Sequence, residues 1–195
     1  MNTDSLVYAG FWPRLCSTVL DCIIFAPLIA LTAWATSAYR LFDLYYFIPG
    51  TLIGLFYSVY LVHRFGGTPG KLIMGIRIRK LDGEPVGYRE AFLRYLPDLI
   101  LAALTSIALF SPLLHTTDAE YHSLSFTQLN QRMTELAPSW YKPVQWTQSA
   151  WVWGELIVLL TNKKRRALHD FIAGTVVVRV SPTPVIEPVP AATAS

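Results

Sequence analysis

Five charged residues stand where apolar sequence makes charge costly: Arg14, Asp21, Asp98, Glu155 and Asp170. An acid in the middle of a membrane span costs roughly 2.5–3.5 kcal/mol, and such residues face protein or water rather than lipid. Asp21 follows Arg14 by almost two helical turns, ~10 Å at 1.5 Å per residue, so both leave one face of a helix. They are not expected to touch, because Arg14 snorkels outward and leaves Asp21 in need of another partner, a hydroxyl or an arginine such as Arg94. Asp21 lies ~12 Å in from Pro13 and Glu155 ~11 Å in from Asn162, so the two acids can meet at one depth. Two carboxylates sharing a site raise one pKa and can hold a proton or a small cation in turn. Asp98, next to Pro97, is read either as an acid serving a helix N-terminus or as a buried functional acid. Asp170 is read as anchoring its loop against a basic residue, since it and the adjacent His169 diverge on a helix.

The elements that must position these residues are membrane spans. The chain has 195 residues, 53% of them apolar and 15% charged, with mean hydropathy +0.38. That composition is too apolar for an ordinary soluble domain and fits a small multi-span membrane protein. Four spans are predicted, over about 15–36, 46–63, 97–114 and 144–162. The fold class is an all-α membrane protein, a four-span bundle with a small cytoplasmic β-hairpin or strand element. The fourth span is marginal because of Gln145, Gln148 and Glu155. The first carries an Ala-x-Ala at Ala33–Ala35, but its length and Asp21 argue against a cleaved leader. Gly50, Gly54 and Ser58 form a small-residue stripe that lets another helix come close. His63 reads as an interfacial histidine.

Between the second and third spans, Ile76-Arg77-Ile78-Arg79 alternates with period two and Asp82-Gly83 marks a tight turn. Val176 to Val180 is expected to pair with the Ile76 strand. Arg89 to Leu96 reads as an amphipathic helix lying on the bilayer. Residues 115–143 read as a polar segment, and the Pro-rich 181–195 as a disordered tail. All of the 16 lysines and arginines except Arg40, Arg132 and Lys142 fall on the side shared by the termini and the 64–96 loop. The positive-inside rule then puts both termini in the cytoplasm of a multi-pass cell (inner) membrane protein.

Several chemistries are excluded. GGTPGKL resembles a phosphate loop, but Phe65 and Leu72 stand where that motif needs Gly and Ser or Thr. Cys16 and Cys22 point apart on a helix and read as buried thiols. His115, Asp118, Glu120 and His122 follow no metal-ligand spacing. Lys163-Lys164-Arg165-Arg166 serves topology and anionic lipid rather than nucleic acid. No catalytic residue, cofactor or metal is expected, and the chain is not read as an enzyme.

Three separated motifs resemble the RDD membrane protein family, named for one Arg and two Asp. Arg14 and Asp21 match its opening, Gly67-Thr68-Pro69-Gly70-Lys71 with GIRIRKLDG from Gly75 its signature after span two, and Leu168 to Val178 its close. The resemblance covers about residues 8–180; the second Asp is Asp170, which fits the closing motif better, or Asp98. It implies a membrane bundle, and transport, including cation/proton antiport, has been proposed for such proteins. Two functions are therefore expected. One is a small cation/proton exchanger using Asp21 and Glu155. The other is a non-enzymatic structural or regulatory membrane protein, a homo-oligomer or one that binds a cytoplasmic partner through its loop and the Val176 strand edge.

Overall fold

In a computed structural model that describes residues 7–180, helices dominate and a two-stranded sheet caps one end. Helix α1 (Phe11–Ala38) starts with Pro13 in its first turns, where the missing amide costs nothing. α2 (Phe42–Leu55) runs through a π turn (Phe56–Tyr60) into α3 (Leu61–Phe65), which ends on Gly66 at φ 79°, a left-handed cap that glycine adopts without penalty. α4 (Pro69–Ile73) is one short turn folded back against α1. Strand β1 (Ile76–Lys80) follows, then α5 (Tyr88–His115), α6 (Asp118–Ser123), α7 (Phe126–Leu136), α8 (Tyr141–Thr161), α9 (Leu168–Ala173) and β2 (Thr175–Arg179).

Three helical stretches, Phe11–Ala38, Phe42–Ile73 and Tyr88–His115, are long and apolar enough to cross a membrane. α8 has the length, with 21 residues, but its glutamines and Glu155 keep it below the same apolar threshold. Along α1 only Arg14, Ser17 and Ala35 are buried, while Val19, Ile23, Ile29 and Trp34 face outward. In water this would be an exposed apolar surface; in a bilayer it is the lipid face. Cys16 and Cys22 are free and lie on this outward face, so they are exposed rather than buried.

β1 and β2 pair antiparallel, Ile76 opposite Arg179 and Lys80 opposite Thr175, as the alternation of 76–79 predicts. Both edges are occupied. Ala9 donates to the Val177 carbonyl and Arg179 to the Val7 carbonyl, while Lys80 donates to Glu84 around the Asp82-Gly83 turn. The Val176 edge expected to receive a partner is thus covered by the chain's own N-terminal segment. The sheet's inner residues Ile76, Ile78 and Val177 pack with Ala9, Val62, Val86 and Ala91.

Two further expectations are corrected. The surface helix of 89–96 and the third span are one continuous 28-residue helix, α5, because Pro97 sits within it without ending it. Asp98 is therefore well inside a helix and serves no N-terminus. The polar 115–143 segment holds α6 and α7, which close the end far from the sheet through Leu113, Tyr121 and Met133. There Arg40 pairs with Asp118 at 2.6 Å and Arg132 with Glu120 at 3.0 Å. The tail at 181–195 lies outside the described residues.

α4 approaches α1 at Gly70, where a side-chain carbon would strike the Ser17 carbonyl and the Asp21 carboxylate. Gly70→Ala should cost about 1–3 kcal/mol through overpacking. Gly10→Ala, where a Cβ meets nothing within 4 Å, should change stability by less than ~0.5 kcal/mol. Thermal unfolding of both variants in one detergent compares them, and equal midpoints would refute the close contact.

Candidate functional site

The charged residues singled out above gather at the sheet end, in separate hydrogen-bond networks. The first centres on Asp170, whose side chain is 0% exposed. Asp170 is the third residue of α9, and its carboxylate turns back to accept the Ala167 amide at 3.0 Å, capping the start of the helix from within. The same Oδ2 accepts Arg14 Nη1 at 2.8 Å. Oδ1 accepts Arg94 Nη1 and, at 3.3 Å, the Thr175 hydroxyl. Burial alone pushes the Asp170 carboxyl up. The charges of Arg94, His169 and Arg14 outweigh it and hold the group well below the usual carboxylate range.

Arg14 does not snorkel to the headgroups. Its guanidinium also donates to the Ala9 carbonyl at 3.3 Å and to the Arg165 carbonyl at 2.5 Å. Arg165 has φ 50°, which turns that carbonyl out of the basic run. Arg166 donates to the Asp170 and Thr175 carbonyls at 2.8 and 3.0 Å and stacks on Phe171. Part of the KKRR run is therefore structural as well as basic.

The second network holds Asp21. Its carboxylate accepts the Tyr57 hydroxyl, the Gly70 amide at 2.6 Å and the Thr68 hydroxyl at 2.6 Å. The partners are hydroxyls and an amide, the first of the two alternatives the sequence left open. Arg94, the other alternative, is committed to Asp170. With its oxygens used in this way, Asp21 clamps α1 to α4 and to the π turn. It does not share a site with Glu155.

The third network is the one the sequence did not reveal. Glu155 Oε1 shares a hydrogen bond with His169 Nδ1 and also accepts the His169 amide at 3.3 Å. Trp151, one turn earlier on α8, donates its indole N–H to Asp98 at 3.0 Å. Asp98, Glu155 and His169 are thus gathered on neighbouring turns of α5, α8 and α9. The missed signal was long-range: His169 and Glu155 are fourteen residues apart and separated by the basic run.

Two cavities share Tyr95 as a wall residue, and the smaller one borders this group. A small one of about 150 Å3 is lined by Ser58, Lys71, Arg94, Tyr95, Asp98 and His169. A larger one of about 360 Å3 lies between α2, α5 and α7, lined by Thr51, Tyr95, Thr105, Ser106, Phe110 and Met133 among others. Tyr95 belongs to both walls, and its hydroxyl packs on Gly54, where a Cβ would collide with it. The Gly54 position in the small-residue stripe thus admits a tyrosine from α5. Among the described residues Thr105 Oγ1 is the buried side-chain polar atom with no protein partner, and it lines the larger cavity. Buried hydroxyls normally have partners, so this wall is suited to water or a solute.

The Asp170 network gives a direct test. Asp170→Asn leaves two buried arginines without their counter-charge and should cost about 3–5 kcal/mol. Because the folded carboxyl is held below its unfolded value, its contribution is complete above about pH 4 and is lost only as pH falls further. Thermal midpoints in detergent should drop sharply in the variant throughout pH 5–8, with a wild-type-to-variant gap that stays constant there. A gap that closes as pH rises would contradict the ion pair.

Comparison with known proteins agrees with the motifs. The model of the RDD family matches residues 8–174. A relative called "Uncharacterized protein YckC", from Bacillus subtilis (strain 168), is 29% identical over 175 residues, covering 89% of this chain and 86% of that protein. No solved structure matches. With Arg14, Asp21 and Asp170 each at the centre of a network, and with the family model spanning nearly all of the described residues, the chain belongs to the RDD family and is a membrane protein.

Proposed function

We propose that the chain is a small proton-coupled cation exchanger, with Asp98, Glu155 and His169 as its exchanging groups and the cavities on either side of Tyr95 as its path. In this reading α1, α2 with its continuation, α5 and α8 cross the cell membrane. The sheet and both termini are cytoplasmic, as the distribution of lysine and arginine argues. The observation that carries the reading is the Glu155–His169 hydrogen bond one helical turn from Asp98, beside a cavity that ends on Tyr95.

Of the acids in this layer, Asp170 and Asp21 spend their oxygens on protein donors. Asp98 and Glu155 are the ones left to exchange ligands. Lys71 and Arg94 line the cavity with Asp98 and His169, so positive charge already stands beside this acid. A proton on His169 makes it a charged partner for Glu155 and adds a positive charge to the layer. Both effects disfavour a cation at the carboxylates. Proton and cation then compete for one site, which is the requirement for exchange. A regulatory partner docked on the sheet is the weaker reading, because both strand edges are already paired.

Proteoliposomes with an internal pH dye, pulsed with Na⁺, K⁺ or Li⁺, test the proposal. Wild type should show cation-driven proton flux. Asp98→Asn and Glu155→Gln should each reduce it about tenfold or more, a barrier change of ~1.4 kcal/mol. His169→Gln should also reduce it, because Glu155 loses its ring partner. Asp21→Asn should lower the thermal midpoint while the folded fraction keeps its flux. Absence of flux in folded wild type, or full flux in the Asp98 and Glu155 variants, would overturn the reading.

A further inference from the structure

A groove of about 250 Å3 opens between the sheet-end halves of α1 and α8, and its two sides differ in chemistry. Its floor carries Arg14, Lys71 and Arg94; its rim carries Leu15, Val152 and Leu156. Leu15 and Val152 are 40% and 61% exposed, so the rim opens on the surface that faces lipid. Arg14 is saturated by protein acceptors, but the other two cations are not. Lys71 Nζ reaches only the Thr68 hydroxyl, at 3.4 Å, and among the described residues it has no carboxylate within ion-pair distance. Arg94 uses the single nitrogen Nη1 for both Asp170 and Thr175, and among the described residues the rest of its guanidinium fork has no protein acceptor. Glu155, the acid in the wall, places one oxygen, Oε1, on the ring and amide of His169.

We propose that this groove binds the headgroup of an anionic phospholipid, its phosphate against Lys71 and Arg94 and one acyl chain along Leu15, Val152 and Leu156. Charge complementarity selects an anion, since the unspent groups on the floor are donors with positive charge and guanidinium matches phosphate geometry. The apolar rim selects a lipid over a free anion, because a soluble phosphate leaves Leu15 and Leu156 nothing to cover. The volume is roughly eight times the ~30 Å3 share of one water, enough for a phosphodiester and the glycerol carbons beside it. Basic pockets between membrane helices are suited to such headgroups on general electrostatic grounds. The groove shares Lys71, Arg94 and His169 with the cavity beside Asp98 and Tyr95, but lipid binding is read out directly and so is tested separately from ion flux.

The full chain in a neutral detergent is titrated with phosphatidylglycerol, phosphatidylcholine or inorganic phosphate. Native mass spectrometry counts bound lipid and tryptophan fluorescence gives affinity. Phosphatidylglycerol should bind in preference to phosphatidylcholine, and inorganic phosphate should not replace it. Lys71→Gln should weaken phosphatidylglycerol roughly fivefold or more, the scale of one basic contact with an anionic headgroup. The double variant Lys163→Gln, Lys164→Gln removes exposed charge outside the groove and should change affinity by less than about twofold. Leu156→Trp keeps every charge but fills the rim, and should expel the lipid even where Lys71→Gln fails to fold. Equal binding of phosphatidylcholine, displacement by inorganic phosphate, or wild-type affinity in Lys71→Gln or Leu156→Trp would each overturn the proposal.

Discussion

One fully buried carboxylate joins the beginning, middle and end of this chain. Asp170 receives Arg14 from α1, Arg94 from α5 and Thr175 from β2. Taking these charges out of water costs several kcal/mol per ion, and the interior attraction repays it only when the remaining polar atoms are also satisfied. Here they largely are. Arg14 spends donors on two backbone carbonyls, Asp170 caps its own helix, and Arg166 covers the Asp170 carbonyl. The network therefore sets where α9 and the sheet sit against the bundle. The cost of breaking it falls on two arginines at once.

The same constraint explains the pattern on α1. Arg14, Ser17 and Asp21 recur at helical spacing along one face, and this face turns to protein while most of the helix faces outward. Arg14 fixes it to α9, and Asp21 fixes it to α4 and Tyr57. The helix is held at two levels almost two turns apart by charges that do not touch each other. A single tether would let the helix rotate about its axis. Two tethers on one face define which residues meet lipid.

The sequence made the spans, the sheet and the roles of Arg14 and Asp170 legible to different degrees. Hydrophobic length marked three of the four expected spans, and the alternation of Ile76 to Arg79 with the Val176 run marked a strand pair, because both signals are local. Asp170 against a basic residue was also readable, though which base was not: Arg14 and Arg94 lie 156 and 76 residues away. The pairing of Asp21 with Glu155 failed for a physical reason. Equal depth along two helices says nothing about azimuth, and Gly70 and Thr68 claimed Asp21 first. Gly67-Thr68-Pro69-Gly70-Lys71 was read as failing the phosphate-loop motif and as matching a family signature. It is also the ligand of that acid, a role visible only once α4 folds back on α1. Pro97 misled in the opposite direction, since within a long helix it was absorbed rather than acting as a start.

Acids that look equivalent in the sequence thus divide by what already occupies them. Asp170 has two arginines, and Asp21 has three donors with Gly70 so close that no side chain fits between. Neither can change ligand without dismantling the packing around it. Among the described residues Asp98 has one indole donor, and Glu155 has the ring and amide of His169. Their partners can be released one bond at a time. The covered sheet edges push in the same direction: the β element, with both sides paired, closes the end of the bundle rather than recruiting another strand. What remains available for chemistry lies between the helices, where Tyr95 separates a charged cavity from a larger one lined by hydroxyls and apolar side chains. A chain this short can support a changeable site only if its other charges are fixed, and Asp170 and Asp21 do the fixing.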